Sequence, residues 1–175
     1  MVMKVNAKYR SKHKSRKTTR PWLFSLYIGF FAGIIWGALK LLQFAMKYTD
    51  VVPGFMLEPF FRHDFLVTWQ GILLGYASLI GLSLVAALFY GLVLRKLKGP
   101  WPGLIYGLAW WGGLYLLIGP LTGMVPPITQ MDVNSLVTDM CLFAVWGLFI
   151  GYSIAFEFTD ERSREPIVMK AEPIK

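Results

Sequence analysis

The sequence is poor in the side chains that most enzymes use for chemistry. Its 175 residues include one cysteine and two histidines. The chain also has no H-E-x-x-H, no C-x-x-C pair, no P-loop and no G-x-S-x-G, motifs that place metal ligands, phosphate cradles or nucleophiles at fixed spacings. We therefore predict a protein that is not an enzyme and that holds no cofactor and no metal. Cys141 stands in an apolar run, so it can form no disulfide within the chain and is predicted to be a small buried hydrophobe.

Charge is also scarce: charged residues make up 16% of the chain and apolar residues 55%, with a mean hydropathy of +0.51. The residues at 99–127 include no charge at all. At about 1.5 Å per residue, the part at 101–124 is long enough to cross a hydrocarbon core of roughly 30 Å. Similar apolar runs predict helices at about 22–46, 65–94 and 135–158. The sequence thus predicts an all-α membrane protein, a bundle of four transmembrane helices.

Acidic residues are absent from the first twenty positions, which carry eight basic residues. A basic arm directly before a membrane helix holds that end in the cytoplasm and attracts anionic lipid headgroups. We favour this interpretation over specific nucleic-acid binding, which the same charges could also serve. The loop at 95–100 is basic as well, which predicts both termini inside. We divide the chain into a basic cytoplasmic arm (1–20), a membrane domain (21–158) and a flexible cytoplasmic tail (159–175).

Glycine recurs at four-residue steps in all four predicted helices. Such GxxxG steps allow two helix backbones to approach closely. We favour packing within the chain over homodimerisation, because three other apolar helices are available to each one. The predicted packing glycines are Gly29, Gly33, Gly37, Gly71, Gly75, Gly103, Gly107, Gly147 and Gly151. Pro120 removes a backbone donor near the outer end of the third helix and is predicted to kink or end it there.

The segment at 47–64 is predicted to be an outer loop. Pro53 and Gly54 form a turn, and several apolar residues follow. The loop should lie in the headgroup region with its rings buried, or cap the bundle. A re-entrant loop is less favoured, because its charged residues would then have to be buried.

Two ionisable residues inside the predicted helices are candidates for function. Lys40 lies near the outer end of the first helix and Asp139 about 6 Å inside the outer end of the fourth, so the two could pair at similar depth. His63, Asp64 and Gln70, at the outer start of the second helix, could extend the cluster. Against a functional site, Lys40 could simply snorkel to the interface and Asp139 could interact with its own helix N-terminus. His63 and Asp64 could likewise be solvated.

Several segments together resemble a known family. They are a glycine-rich first helix ending in WGALK at 36–40, an aromatic third helix, and GPLTGMVPP at 119–127. Over nearly all of the apolar chain these residues resemble the YqhR family of uncharacterised bacterial membrane proteins. The chain is similar, more distantly, to YagU-type inner-membrane proteins, which share the glycine-stepped helix and the Gly-x-x-Pro-Pro turn. YagU-type proteins carry histidines in the second and third helices, which this chain lacks, so we do not expect histidine-based chemistry. Neither family has an established activity, so the resemblance implies a bacterial cell membrane and little more.

Two functions remain open from the sequence. The first is a multi-pass, non-enzymatic binding or assembly component of the cell membrane, whose partner is membrane lipid, another protein or a second copy of the chain. The alternative is a small transporter or proton-coupled channel that uses the Lys40–Asp139 pair and Gln70.

Overall fold

A computed structural model describes residues 21–94, 97 and 99–158. The basic arm at 1–20, the tail at 159–175 and the basic residues Arg95, Lys96 and Lys98 lie outside the described residues. The predictions made for these segments, including the cytoplasmic position of both termini, stay predictions.

The described part of the chain contains six α-helices and no strand. They are α1 (Pro21–Ala45), α2 (His63–Leu66), α3 (Trp69–Phe89), α4 (Trp101–Gly112), α5 (Gly119–Thr122) and α6 (Val133–Phe158). A π-helical turn at Tyr90–Leu94 extends α3, and another at Gly113–Ile118 joins α4 to α5. Four continuous helical spans result, each long and apolar enough to cross a membrane: Trp22–Ala45, Trp69–Leu94, Trp101–Thr122 and Val133–Phe158. The prediction of four membrane helices is confirmed.

The second span begins later than the predicted residue 65. Thr68 adopts an extended conformation, and its side chain accepts a hydrogen bond from the backbone N–H of Gly71 at 3.3 Å. A side-chain oxygen that caps the free N–H groups in this way marks a helix start. The preceding residues, including His63 and Asp64, therefore form the separate turn α2.

The first and third spans end in the same kind of turn. Lys47 (φ 57°) and Gly123 (φ 77°) both adopt the left-handed conformation. In each case the backbone N–H of the following residue donates a hydrogen bond to the carbonyl five residues earlier: Tyr48 to Gln43, and Met124 to Gly119. This is the pattern of a Schellman motif. The third span passes through Pro120 and ends at Thr122, two residues short of the prediction.

Glycines line both main helix contacts. Helix α1 packs against α3, and α4 packs against α6. A Cβ added to Gly33 would lie 2.6 Å from the Cα of Ile80 on α3. On the other pair, a Cβ at Gly107 would lie 3.0 Å from the Cα of Gly147. These backbones are therefore close enough to exclude a side chain at the contact.

Gly71 and Gly75 have a different role from the helix contact that their spacing predicts. A Cβ at Gly75 would lie 2.5 Å from the backbone N of Gly54, which belongs to the loop, and one at Gly71 would lie 2.5 Å from the Cα of Leu66 in α2. These glycines allow the connecting segment, and not another membrane helix, to approach α3.

The loop after α1 caps the bundle. Val51, Val52 and Phe55 are buried, whereas Phe60 is 78% exposed. The buried part is tied to α6, because the backbone N of Asp50 donates to Ser135 Oγ at 3.0 Å. Together with the segment at 123–132, this loop forms what we call the loop end of the bundle.

Cys141 is exposed, contrary to the prediction of a buried position. At 100° per residue, it lies about 200° around α6 from the buried Asp139. It therefore falls on the outward face, which an apolar run by itself does not distinguish from the inward one.

We expect alanine at Gly33 to destabilise the protein by about 1–3 kcal/mol, since its methyl group would overlap the α3 backbone and core overpacking costs this much. The matched control is Gly81→Ala on α3, where an added Cβ meets nothing within 4 Å. Thermal unfolding of the purified variants in detergent measures the difference. Equal stability of the two variants would contradict the packing role of Gly33.

Candidate functional site

A buried ion pair joins the first and last spans. Lys40 Nζ lies 2.6 Å from Asp139 Oδ1, and the two side chains are 2% and 0% exposed. Lys40 stands five residues before the end of α1, and Asp139 lies in the second turn of α6. Because these helices run in opposite directions, the two positions meet near the loop end. An intramembrane charge is costly by itself, and the pairing offsets that cost.

Two hydroxyl groups complete the surroundings of Asp139. Thr49 Oγ1 donates to Asp139 Oδ2 at 3.0 Å, and the Tyr115 hydroxyl donates to the same oxygen at 2.9 Å. Lys40 Nζ also donates weakly to Thr49 Oγ1, at 3.5 Å. Both carboxylate oxygens therefore have donors within the protein. We call these four residues the buried cluster.

Local turns bring Thr49 into this cluster. The left-handed Lys47 reverses the chain immediately after α1, so that Thr49 points back toward the helix it has just left. Thr49 Oγ1 also accepts from the backbone N–H of Val51 at 3.2 Å. Beside it, the Asn134 side chain donates to the Tyr48 carbonyl at 3.3 Å. The loop is thus held to both α1 and α6.

Tyr115 enters the cluster from the π-helical turn of the third span. It is fully buried, and its ring packs against the rings of Trp111, Phe143 and Phe55 at centroid distances of 6.0, 5.9 and 5.5 Å. This aromatic packing fixes the ring so that its hydroxyl faces Asp139.

One cavity borders the buried cluster, and a second lies at the loop end. One of about 30 Å³, the core cavity, is lined by Lys40, Phe55, Ser83 and Phe143 among others. The second, of about 320 Å³, lies at the loop end between the segments at 50–63 and 123–135, and we call it the loop pocket. Its lining is mixed: apolar residues such as Val51 and Val52 stand beside Asp50, Glu58, His63 and Asp132.

The other three sequence candidates do not join the pair. Gln70 is exposed. Asp64 is exposed and forms a surface ion pair with Arg62 at 3.2 Å. His63 Nδ1 lies 2.7 Å from a carboxylate oxygen of Glu58, at the edge of the loop pocket. Only Lys40 and Asp139, of the five candidates, are brought together.

The sequence interpretation missed Thr49 and Tyr115. Tyr115 is one of eight tyrosines, and nothing in its neighbours distinguishes it from the others. Thr49 lies just beyond the end of α1. A polar residue at such a position usually contacts water, so it gives no sign of a buried site. Across the residues that the structure describes, no group of three or more His, Cys, Asp or Glu side chains could hold a metal ion.

The four spans define a multi-pass membrane protein with a buried ion pair between its first and last helices. Residues 5–168 match the family model described as "Conserved membrane protein YqhR". The chain belongs to the YqhR family.

A curated relative agrees with this assignment. "Uncharacterized protein YqhR" of Bacillus subtilis (strain 168) is 28% identical over 137 residues, which cover 78% of this chain and 77% of the relative. No solved structure matches the chain significantly.

We expect Lys40→Met and Asp139→Leu each to cost about 3–5 kcal/mol, because each leaves a buried charge without its partner. The double variant should lose less than the sum of the single losses, by about 1–3 kcal/mol, as expected for residues in contact. Thermal unfolding of all four proteins in one detergent measures this coupling. Strictly additive losses would contradict an interaction between the two side chains.

We expect Tyr115→Phe to cost about 1.5–3 kcal/mol, since it removes one hydrogen bond to a charged acceptor and preserves the ring packing. Tyr27→Phe is the control, because Tyr27 is 60% exposed on the surface of α1. The same unfolding measurement applies, and a loss no larger than that of the control would show that the hydroxyl contributes nothing.

Proposed function

We propose that this protein is a non-enzymatic binding component of the bacterial cell membrane, with the buried cluster as the anchor of its binding surface. The observation that carries the proposal is that the Lys40–Asp139 pair is satisfied by groups of the protein itself. A side chain that moves ions or protons needs contact with water, whereas a structural pair needs only complete pairing. Exposures of 2% and 0% favour the second role.

The anchored surface is the loop end. The cluster holds Thr49, and the adjacent residues Asp50, Val51 and Val52 form part of the loop pocket. Ligand sites are typically concave, with an apolar lining and a few polar groups. At about 320 Å³ the loop pocket lies at the lower end of the usual size for small ligands, which begins near 300 Å³. A concave pocket of this size with a mixed lining supports binding without chemistry.

The basic arm is a second contact in this proposal. Its eight basic residues carry no compensating acid, and such segments bind anionic headgroups. Membrane lipid is therefore the expected partner at this end, and specific nucleic-acid binding is not part of the proposal.

A second candidate function is a small transporter or proton-coupled channel. One observation favours it: the buried ion pair lies beside a cavity at membrane depth, and a larger pocket lies on its loop side. Ionisable side chains inside membrane domains often mark such pathways. In this reading Lys40 and Asp139 would exchange a proton or bind an ion, and Gln70, which is exposed, would take no part.

Native mass spectrometry of the purified protein, in detergent and in nanodiscs, tests the binding proposal. We expect the wild-type protein to retain a small molecule, a lipid or a second protein. Met131→Trp should release it by filling the loop pocket, which Met131 lines. Val133→Trp is the matched control, because Val133 is 71% exposed and does not line the pocket. Retention by all three proteins, or by none, would contradict binding in the loop pocket.

Proteoliposomes test the second candidate separately. Under a potassium diffusion potential, proton uptake by wild-type vesicles, and its loss in the folded Lys40→Met/Asp139→Leu double variant, would favour transport over the anchoring role. Equal, background uptake by both proteins is the result that the binding proposal predicts.

A further inference from the structure

Phe55 occupies a distinctive place between the two cavities. Among the described residues that line either the core cavity or the loop pocket, Phe55 alone lines both. Its side chain is 1% exposed. The Phe55 ring therefore borders the loop pocket on one side and the interior of the bundle on the other.

Polar groups lie on each side of this ring. On the core side are Lys40 and Ser83, and on the pocket side are Asp50 and Glu58. Apart from Lys40 and Ser83, the core cavity is lined by apolar residues and Gly37. An apolar constriction of this kind beside a polar pocket can stop water by dewetting, without any change in the backbone.

The backbone that carries Phe55 is held in place. Its N–H donates to the Val52 carbonyl at 3.0 Å, and its carbonyl accepts from the Glu58 N–H at 3.2 Å. Gly54, just before it, packs against Gly75. The ring is held on one side by Tyr115, at a centroid distance of 5.5 Å, and cavities border other parts of it. Movement at this position is thus expected in the side chain.

We propose that Phe55 is a hydrophobic gate, whose ring rotation joins the loop pocket to the core cavity and admits water to Lys40, which lines that cavity and is paired with Asp139. The inference goes beyond the binding proposal, since an anchoring pair needs no route to it. It also differs from ordinary core packing, in which removal of a ring would enlarge one cavity without joining it to the other.

Thiol accessibility at Ser83 tests the gate. Ser83 is 3% exposed and lines the core cavity but not the loop pocket. In a Cys141→Ala background, Ser83→Cys leaves a single thiol. The protein in nanodiscs is treated with aminoethyl methanethiosulfonate, a small cationic reagent, and the modified fraction is followed with time by intact mass.

Phe55→Ala should raise the labelling rate at position 83 by at least about tenfold, because that rate follows the population of the open form. Phe143→Ala is the matched control: Phe143 is a buried ring that lines the core cavity alone. Phe143→Ala should change the rate less than about twofold, because it enlarges the core cavity without joining it to the loop pocket. Equal rates in these two variants, whether both high or both low, would overturn the gate.

Two further positions define the route of the reagent. Asp132→Cys, in the loop pocket, should react quickly with or without Phe55, and Val145→Cys, on the outward face of α6, should stay slow in both. Fast labelling of Val145→Cys would show entry through lipid and would overturn the assignment to Phe55.

Folding of each variant is checked by size-exclusion elution and thermal unfolding. If Phe55→Ala does not fold, Phe55→Leu replaces it, with a smaller increase expected, and Phe55→Trp should slow the labelling of Ser83→Cys. An unchanged rate in both replacements would overturn the proposal. None of these readouts requires a bound species, so failure of the gate is distinguishable from failure of the binding proposal.

Discussion

The Lys40–Asp139 ion pair is the interaction on which the rest of the loop end depends. Its two members lie 99 residues apart in sequence and are almost fully buried. Because a single buried charge is costly, the pair has a low free energy only when both helices stand in one relative position. Thr49 and Tyr115 add the loop and the third span to the same carboxylate. One side chain, Asp139, therefore sets the register of three spans and a loop.

Away from the cluster, the helices are held by close backbone contact and by a few bonds between spans. Lipid tails are as apolar as leucine, so burial of apolar side chains gives little net attraction between membrane helices. Gly103 and Gly107 on α4 meet Gly147 and Gly151 on α6, which maximises van der Waals contact. The Trp146 indole N–H donates to Ser83 Oγ at 2.9 Å, and the Tyr106 hydroxyl donates to the Ala86 carbonyl at 2.8 Å. Both bonds connect α3 to the α4–α6 pair.

For the candidate site, the sequence predicts only how deep each residue lies along its helix. Lys40 and Asp139 lie at similar distances from the same end of their helices, and this follows from the rise per residue. Gln70 and Asp64 lie near that depth as well, yet both are exposed and outside the cluster. Depth does not give the direction in which a side chain projects, because direction depends on which neighbour each helix packs against.

The sequence by itself determined the four spans, the glycine steps and the family, since length, hydropathy and spacing are local properties of the chain. Only the tertiary structure decided that Gly75 meets Gly54 of the loop, that Thr49 and Tyr115 complete the site, and that Cys141 faces outward. It also decided that Phe55 borders two cavities. Each of these facts depends on the order and rotation of the helices, which are set by contacts between residues far apart in the chain.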